Sequence, residues 1–514
     1  MDGVELELKA GLAAADLRRL RRLLAARGAA PERGHLVVTR YLDTADGRLA
    51  SAGLAVRLRS LGGRHLLSVK SARTTVGGFQ QARETELPLR HPRFDLASLP
   101  PGLATAIAGH AGDAPLETRF ETRVRRAEVA LEALHGRVRL ALDEGEIRAG
   151  ALSEPISEAE FELAEGSPEA VFASAEALLA SLPARLDLPS KAARGEALAR
   201  GAPLAVGPLA RRPEPPAPGT SARDAFERLL AALASTIARN LHATLVSEEP
   251  EGPHQLRVAL RRLRVALRLF RPILDPAEAR ALAETARDLG RLVSPLRDAD
   301  VLVPQILALA EEEGQASLAE ALRASHAATR AAVRRRLLAA RATGFAIRLL
   351  RLAALGGWQR PGARERLSLP FEAVVAPGLD RLWKDVRHRG NRLAVLDPEE
   401  RHELRKDLKK LRYGTELAGD RASARPFLAA LKRLQEDLGE INDLAVLEAF
   451  APDLPPDQQA AFRALKARLG KAGKGRADTL LGRACRHWRA LAATDPWWRA
   501  DALQPLPALA EPSP

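Results

Sequence analysis

Near the start of the chain, Glu5, Glu7 and Lys9 alternate with Val4, Leu6 and Leu8. In an extended segment all three charges therefore fall on one face and the apolar side chains on the other. The same period recurs downstream. Glu84 and Glu86 share a face, as do Glu158, Glu160 and Glu162, while Arg57 and Arg59, and Arg119, Glu121, Arg123 and Arg125, form the basic counterparts. A merely solvated sheet face mixes Lys, Glu, Thr and Ser. Carboxylates gathered on some strands and guanidiniums on others suit a different task, a hard cation held by carboxylate oxygen beside an anion held by cationic forks. Within residues 1–200 there are 25 Arg and only three Lys, namely Lys9, Lys70 and Lys191. In so Arg-biased a stretch, a retained lysine marks a place that needs a compact, titratable ammonium.

A second set of cations lies on helices. In His254-Gln-Leu-Arg-Val-Ala-Leu-Arg-Arg-Leu-Arg264, the residues His254, Arg257, Arg261 and Arg264 occupy about a quarter of the helix circumference. Leu256, Leu260, Leu263, Leu267 and Phe270 face the other way. The pattern returns 148 residues later with His402, Arg405, Lys409 and Arg412 at the same offsets and Leu404, Leu408 and Leu411 behind them. Each stripe is followed about forty residues on by an Asp-bearing segment, Leu289 to Leu302 with Asp298, and Leu438 to Leu447 with Asp443. Two matched copies in the same order indicate a duplicated helical unit. His326 and His487 read as surface residues.

The charge balance separates the two sets. Residues 1–200 hold 28 basic and 27 acidic side chains, whereas residues 201–514 hold 51 and 38. The surplus that would attract a polyanion is thus confined to the helical part. Residues 201–221 contain six prolines and form a stiff linker between an N-terminal domain (1–200) and a helical domain (222–500), with a Pro/Ala-rich tail at 501–514. Helix breaks are expected near 250–253, 272–276, 356–370, 397 and 451–457. In the first domain, turn signals at Asp46-Gly47, Gly62-Gly63, Gly77-Gly78 and His135-Gly136 separate seven or eight strands. Such a sheet is either open with one solvated face or closed around a charged lumen. A single cysteine, Cys485, leaves no internal disulfide and fits a reducing compartment. The N-terminus carries no secretory pattern and no long uncharged run is seen, so a cytoplasmic protein without membrane attachment is expected. Aromatic residues make up 4% and do not interleave with the basic stripes, which disfavours nucleic acid as partner.

Glu5-Leu-Glu-Leu-Lys9 resembles the ExExK signature that opens the CYTH family, the triphosphate tunnel metalloenzymes. Tyr41-Leu-Asp-Thr44, Val56-Arg-Leu-Arg59, Leu67-Ser-Val-Lys70, Arg83-Glu-Thr-Glu86, Thr122-Arg123, Leu142-Asp-Glu-Gly145, Pro155 to Leu163 and Ser190-Lys-Ala-Ala-Arg-Gly195 follow in family order. The resemblance implies an eight-stranded antiparallel barrel enclosing a charged tunnel. It implies that Glu5, Glu7, Glu160 and Glu162 hold Mg²⁺ or Mn²⁺, and that Arg57, Arg59, Lys70, Arg123 and Lys191 grip a linear triphosphate. Glu5 or Glu7 would orient the attacking water, with Lys9 paired to Tyr41 as the alternative aid to proton transfer. Arg139 departs from the acidic or apolar residue common in relatives.

Residues 222–500 resemble the CHAD domain, the conserved-histidine α-helical domain, through the two His-x-x-Arg stripes and through Asp298 and Asp443. That resemblance implies a duplicated helical bundle that binds inorganic polyphosphate. The expected function is a metal-dependent inorganic triphosphatase, splitting tripolyphosphate into pyrophosphate and phosphate, tethered to a polyphosphate-binding domain and associated with polyphosphate granules. The competing expectations are a non-catalytic polyphosphate-binding or granule-targeting protein, a thiamine triphosphatase and an adenylate cyclase.

Overall fold

The computed structural model describes residues 2–499 apart from 77–78, 187, 203, 205–206, 211 and 419–421. The Gly77-Gly78 turn signal and the 501–514 tail lie outside the described residues.

Eight strands, β1 (Asp2–Gly11), β2 (His35–Asp43), β3 (Ala55–Leu61), β4 (Arg64–Val76), β5 (Phe79–Leu89), β6 (Glu117–Ala133), β7 (Gly136–Ala149) and β8 (Leu152–Gly166), form a closed antiparallel barrel in the order β1-β5-β4-β3-β2-β6-β7-β8. Pairing of β1 with β8 shuts the ring. Closure follows from the alternation once both faces are accounted for. Helices α2 (Arg48–Ser51) and α3 (Pro101–Ala111) bury the outward Val56, Leu58, Leu67 and Val69 in one apolar cluster with Leu49 and Ile107. Helices α1 (Ala14–Ala26) and α4 (Glu169–Leu179) cover the outer side around β8. With the apolar face packed outward, the charged face turns inward, where fixed charges of both signs compensate one another. The Gly62-Gly63 signal is a tight β3–β4 turn with both residues at positive φ, 52° and 80°.

Helix α5 (Lys191–Ala199) packs on β6, β7 and β8. Its Leu198 joins Val37, Tyr41, Phe120, Val124, Ile147 and Ile156 in an apolar cluster. These side chains share the register of the inward charges, so α5 plugs one end of the lumen with an apolar seal.

The remaining helices are α6 (Ala222–Val246), α7 (Glu251–Leu269), α8 (Pro276–Glu312), α9 (Ala316–Ala339), α10 (Ala342–Leu355), α11 (Arg364–Ser368), α12 (Phe371–Gly390), α13 (Pro398–Leu417), α14 (Arg425–Ala449) and α15 (Pro456–Ala492). The breaks expected near 272–276, 397 and 451–457 fall at or between helix ends, whereas 251–253 form the first turn of α7 and the 356–370 stretch contains α11. The duplicated unit is α7–α8 and α13–α14, and α7 packs directly on α13. Helix α13 opens with Asp397 and Glu400 as a reciprocal cap. Helix α6 is long and apolar enough to cross a membrane by length and composition, contrary to the expectation of no such run, and 67% of its most apolar window is buried inside the protein. That burial is the pattern of a core helix.

The chain divides into two compact units. One comprises Met1–Pro208, Leu241–Val246 and Arg341–Leu355, and the other Leu209–Asn240, Ser247–Ala340 and Gly356–Pro514. The barrel unit thus takes in α10, which the sequence places in the helical domain. Within this unit the Thr343 hydroxyl donates to the Leu182 carbonyl at 2.6 Å, and Gly344 lies against Ala180.

Candidate functional site

The strand register lines the lumen with the alternating residues. Across β1 and β8, Glu7 stands opposite Glu162 and Lys9 opposite Glu160. Lys70 faces Glu84 across β4 and β5, Arg57 faces Ser68 across β3 and β4, and Tyr41 faces Arg57 across β2 and β3. On the β6–β7–β8 side, Arg126 lies opposite Asp143, and Asp143 opposite Glu158.

These groups ring the lumen in separate ionic networks. Lys9 Nζ lies 3.1 Å from both Glu7 and Glu160, Lys70 pairs with Glu5 and, at 3.2 Å, with Glu84, and Arg57 reaches Glu84 at 2.5 Å. Glu162 pairs with Arg139 at 2.6 Å. They are not uniformly neutralised. Burial and the negative charges of Glu7 and Glu84 outweigh Lys70 and push the Glu5 carboxyl up to about 7. Glu84 is held well below the usual carboxylate range, because Arg57 and Lys70 overcome its burial. Burial opposes the Lys9 charge, yet Glu160 and Glu7 hold its proton more firmly than usual. The phenol of Tyr41 resists ionisation through burial, but Arg57, which donates to it, and Lys191 bring it below the ordinary tyrosine range. Arg59 is depressed by Arg57, by burial and by Arg126. Among the described residues its buried Nε finds no hydrogen-bond partner.

Of the residues singled out in the sequence, Glu5, Glu7, Lys9, Tyr41, Arg57, Arg59, Lys70, Glu160, Glu162 and Lys191 come together in the lumen. Arg123 does not. It pairs in register with Val38 and Glu146 on the outer face, is half exposed and lies 3.5 Å from Glu121. The inward cation on β6 is Arg126, bonded to Asp143 at 2.6 Å and Glu160 at 2.5 Å. The signal was present as Phe120, Thr122, Val124 and Arg126 at period two, but Arg123-Val-Arg-Arg126 offers a cation in either register.

Lys191 enters from α5 and meets Asp143 at 2.7 Å, Glu160 at 2.9 Å and Glu158. Oxygens of these three acids lie within 4.8 Å of one another, close enough to hold a metal ion. The triad differs from the expected metal set, sharing only Glu160, and its charge is already met by Lys191, Arg126 and Arg194. It reads as an ammonium clamp. The expected set, Glu5, Glu7, Glu160 and Glu162, offers carboxylate oxygens on adjoining strands, the donor type a hard dication takes, but among the described residues no three of its members have oxygens gathered as closely as those of the triad.

In the helical unit the stripes also meet. Leu256, Leu260 and Leu263 on α7 and Leu404, Leu408 and Leu411 on α13 are buried, which turns the cations outward together. Burial and the charges of Arg405, Arg261, Arg412 and Arg257, drawn from both helices, push the Lys409 ammonium down to about 7. His254 is held below its ordinary value by burial and by Arg297. Arg264 is depressed by burial and by Arg287 and Arg261, so α8 adds arginines that the stripes alone did not reveal. The duplication extends to its supports. Arg257 lies 3.8 Å from Asp298 and Arg405 lies 3.9 Å from Asp443, while His402 bonds Asn442 at 2.7 Å. His326 and His487 are not plain surface residues. Each is half-buried and bonds a buried carboxylate, Asp300 at 2.7 Å and Asp437 at 2.6 Å.

Comparison with known proteins agrees with this division. The CYTH domain family model matches residues 3–195 and the CHAD domain family model residues 228–452. The inorganic triphosphatase of Haemophilus influenzae is 29% identical over 155 residues, covering 30% of this chain and 44% of that protein, so the match spans less than half of the relative. Among solved structures, the CHAD domain from the plant Ricinus communis is 25% identical with a TM-score of 0.39, covering 59% of this chain and 99% of that one. A putative adenylyl cyclase from Hippeastrum, described as having a dominant triphosphatase activity, is 24% identical with a TM-score of 0.31, covering 39% and 97%. The chain therefore carries a CYTH domain, residues 3–195, followed by a CHAD domain, residues 228–452.

Proposed function

We propose that the barrel is a metal-dependent inorganic triphosphatase that cleaves tripolyphosphate to pyrophosphate and phosphate, and that the helical unit binds long-chain polyphosphate. The observation that carries this reading is the split imbalance inside one lumen. Burial together with the Glu7 and Glu84 charges leaves Glu5 under-neutralised by Lys70, and Arg59 is depressed by Arg57, burial and Arg126, whereas Arg57 and Arg126, despite burial, are held protonated by the carboxylates beside them. A lumen serving only stability would pair its charges out. One built for a dication and a polyanion leaves each sign short of its partner.

Glu5, Glu7, Glu160 and Glu162 would hold Mg²⁺ or Mn²⁺, which supplies charge neutralisation and polarises a phosphoryl oxygen. Arg57, Arg59, Arg126 and Lys70 would grip the anionic oxygens and hold the phosphoanhydride in place, which is most of what phosphoryl transfer asks of a protein. Lys9 keeps its proton, which suits it to charge stabilisation rather than to the role of base. The apolar seal of α5 keeps bulk water from one end of the lumen. The activity of the Haemophilus relative supports the same substrate class. A cytoplasmic site of action beside polyphosphate granules would follow from the cationic groove.

A phosphate-release panel on the full chain tests the substrate. With Mg²⁺, tripolyphosphate should be turned over at least tenfold faster than ATP, thiamine triphosphate or long-chain polyphosphate. Preference for thiamine triphosphate or ATP would transfer the barrel to one of the organic triphosphates. Absence of any release would favour a binding protein with an idle lumen.

A further inference from the structure

Helix α5 brings more than Lys191 to the lumen. Its Ser190 hydroxyl accepts from the Ala193 amide at 3.2 Å as the helix cap. Arg194, almost fully buried, fixes the helix to β8 with three donors, to Glu154 at 2.7 Å, to Glu158 at 2.8 Å and to the Pro155 carbonyl at 2.8 Å. A helix held so tightly cannot back away from the strand beneath it. The next residue, Gly195, lies flat on the Phe120 ring. A methyl there would sit 2.6 Å from Phe120 Cζ and nearer still to Cε2 and Cδ2. No Cβ tolerates that approach, so the ring must move if the glycine is replaced.

The Phe120 ring also stacks on Tyr41, with centroids 4.4 Å apart and planes inclined by 17°, so a shift of Phe120 bears on Tyr41. Tyr41 is 6% exposed and points its hydroxyl among Arg57, Lys191 and Lys9. The sequence Gly195, Phe120, Tyr41, Arg57 is thus a rigid stack running from the plug helix to a phosphate-gripping guanidinium.

We propose that Gly195 is a positioning residue which, by leaving room for the Phe120 ring, sets the Tyr41 phenol against Arg57 and so aims Arg57 at the substrate. The proposal rests on the triphosphatase reading for its catalytic consequence but not for its geometry. A displacement on the ångström scale of a group that orients substrate costs on the order of 100-fold in rate. Gly195→Ala should therefore lower tripolyphosphate hydrolysis by about that factor.

The test is a set of paired variants with two readouts. In kinetics, Gly195→Ala should cost little further when Tyr41→Phe or Phe120→Leu is already present, because the three residues act as one unit. Additive losses in either background would overturn the proposal. In absorbance, the chain has two tyrosines, Tyr41 and Tyr413. With Tyr413→Phe in place, tyrosinate formation reports Tyr41 alone, whether or not the protein turns over a triphosphate. Gly195→Ala should raise the pH at which that signal appears, as the phenol leaves Arg57. An unshifted titration in the folded variant would overturn the proposal even if activity falls. Should Gly195→Ala not fold, Phe120→Leu alone removes the stacking ring. It must then raise the same titration, and an unmoved signal there refutes the proposal equally. A wild-type chain with no hydrolysis but the expected titrations would instead sink the triphosphatase reading alone.

Discussion

Replacing Glu5 and Glu7 together by Gln should lower tripolyphosphate hydrolysis by about 10³-fold or more, the scale of removing a dedicated electrostatic stabiliser from an enclosed site. The barrel should survive the change. Burial and the neighbouring Glu7 and Glu84 charges already hold Glu5 near half-protonation at neutral pH, and Lys9 keeps Glu160 as partner when Glu7 loses its charge. The sign of the stability effect follows. A carboxyl whose folded pKa is raised, from 4.5 to about 7, favours the fold fully below 4.5 and loses that contribution as pH rises through 7. The metal-free Glu5→Gln variant should therefore melt higher than wild type at pH 8, by an amount worth at most about 3 kcal/mol, with the gap closing towards pH 4.5. Added Mg²⁺ should stabilise the wild type and leave the double variant unmoved. Thermal melts at the two pH values, with and without Mg²⁺, check all three statements. Undiminished turnover in the double variant would dismiss these carboxylates as the metal ligands.

The second large effect concerns the groove. Arg257, Arg261, Lys409 and Arg412 replaced together by Ala should weaken long-chain polyphosphate binding by about 100-fold or more and flatten its salt dependence. By analogy with single-stranded nucleic acids, the slope should fall by roughly 3 for four lost contacts. Hydrolysis in the barrel should be unaffected. Loss of folding is not the expected cost, because these cations repel one another. Burial and like charge depress Lys409 from 10.5 to about 7, so the free groove favours unfolding below pH 7, and that burden is relieved as pH rises towards 10.5. A bound polyanion restores the Lys409 proton, so affinity should decline above pH 7, by up to about tenfold per pH unit while one proton is linked. Salt and pH titrations of polyphosphate binding, wild type against variant, decide the matter. A variant of full affinity would leave the stripes as ordinary solvated faces.

The inward set of the barrel was legible because period-two alternation fixes faces strand by strand. It was legible only up to register. On β6 the run Arg123-Val-Arg-Arg126 places a cation on both faces, and the choice of Arg126 needed its partner strands. The clamp around Lys191 was hidden for another reason, since Asp143, Glu158, Glu160 and a helix from residue 191 converge only when the ring closes. On the helical side the spacing of His254 and His402 identified the stripes and their repeat. The inclusion of α10 in the barrel unit was not readable, because an apolar helix face looks the same whichever surface covers it. The same limit concealed the carboxylates that His326 and His487 bond.

The most direct measurement is phosphorus NMR of the full chain with tripolyphosphate and Mg²⁺, repeated with a chelator in excess of the metal. Pyrophosphate and phosphate should appear in equal amounts with Mg²⁺ and not at all with the chelator. Tripolyphosphate left intact in the presence of Mg²⁺, or consumed at the same rate without it, would contradict a metal-dependent triphosphatase in this barrel.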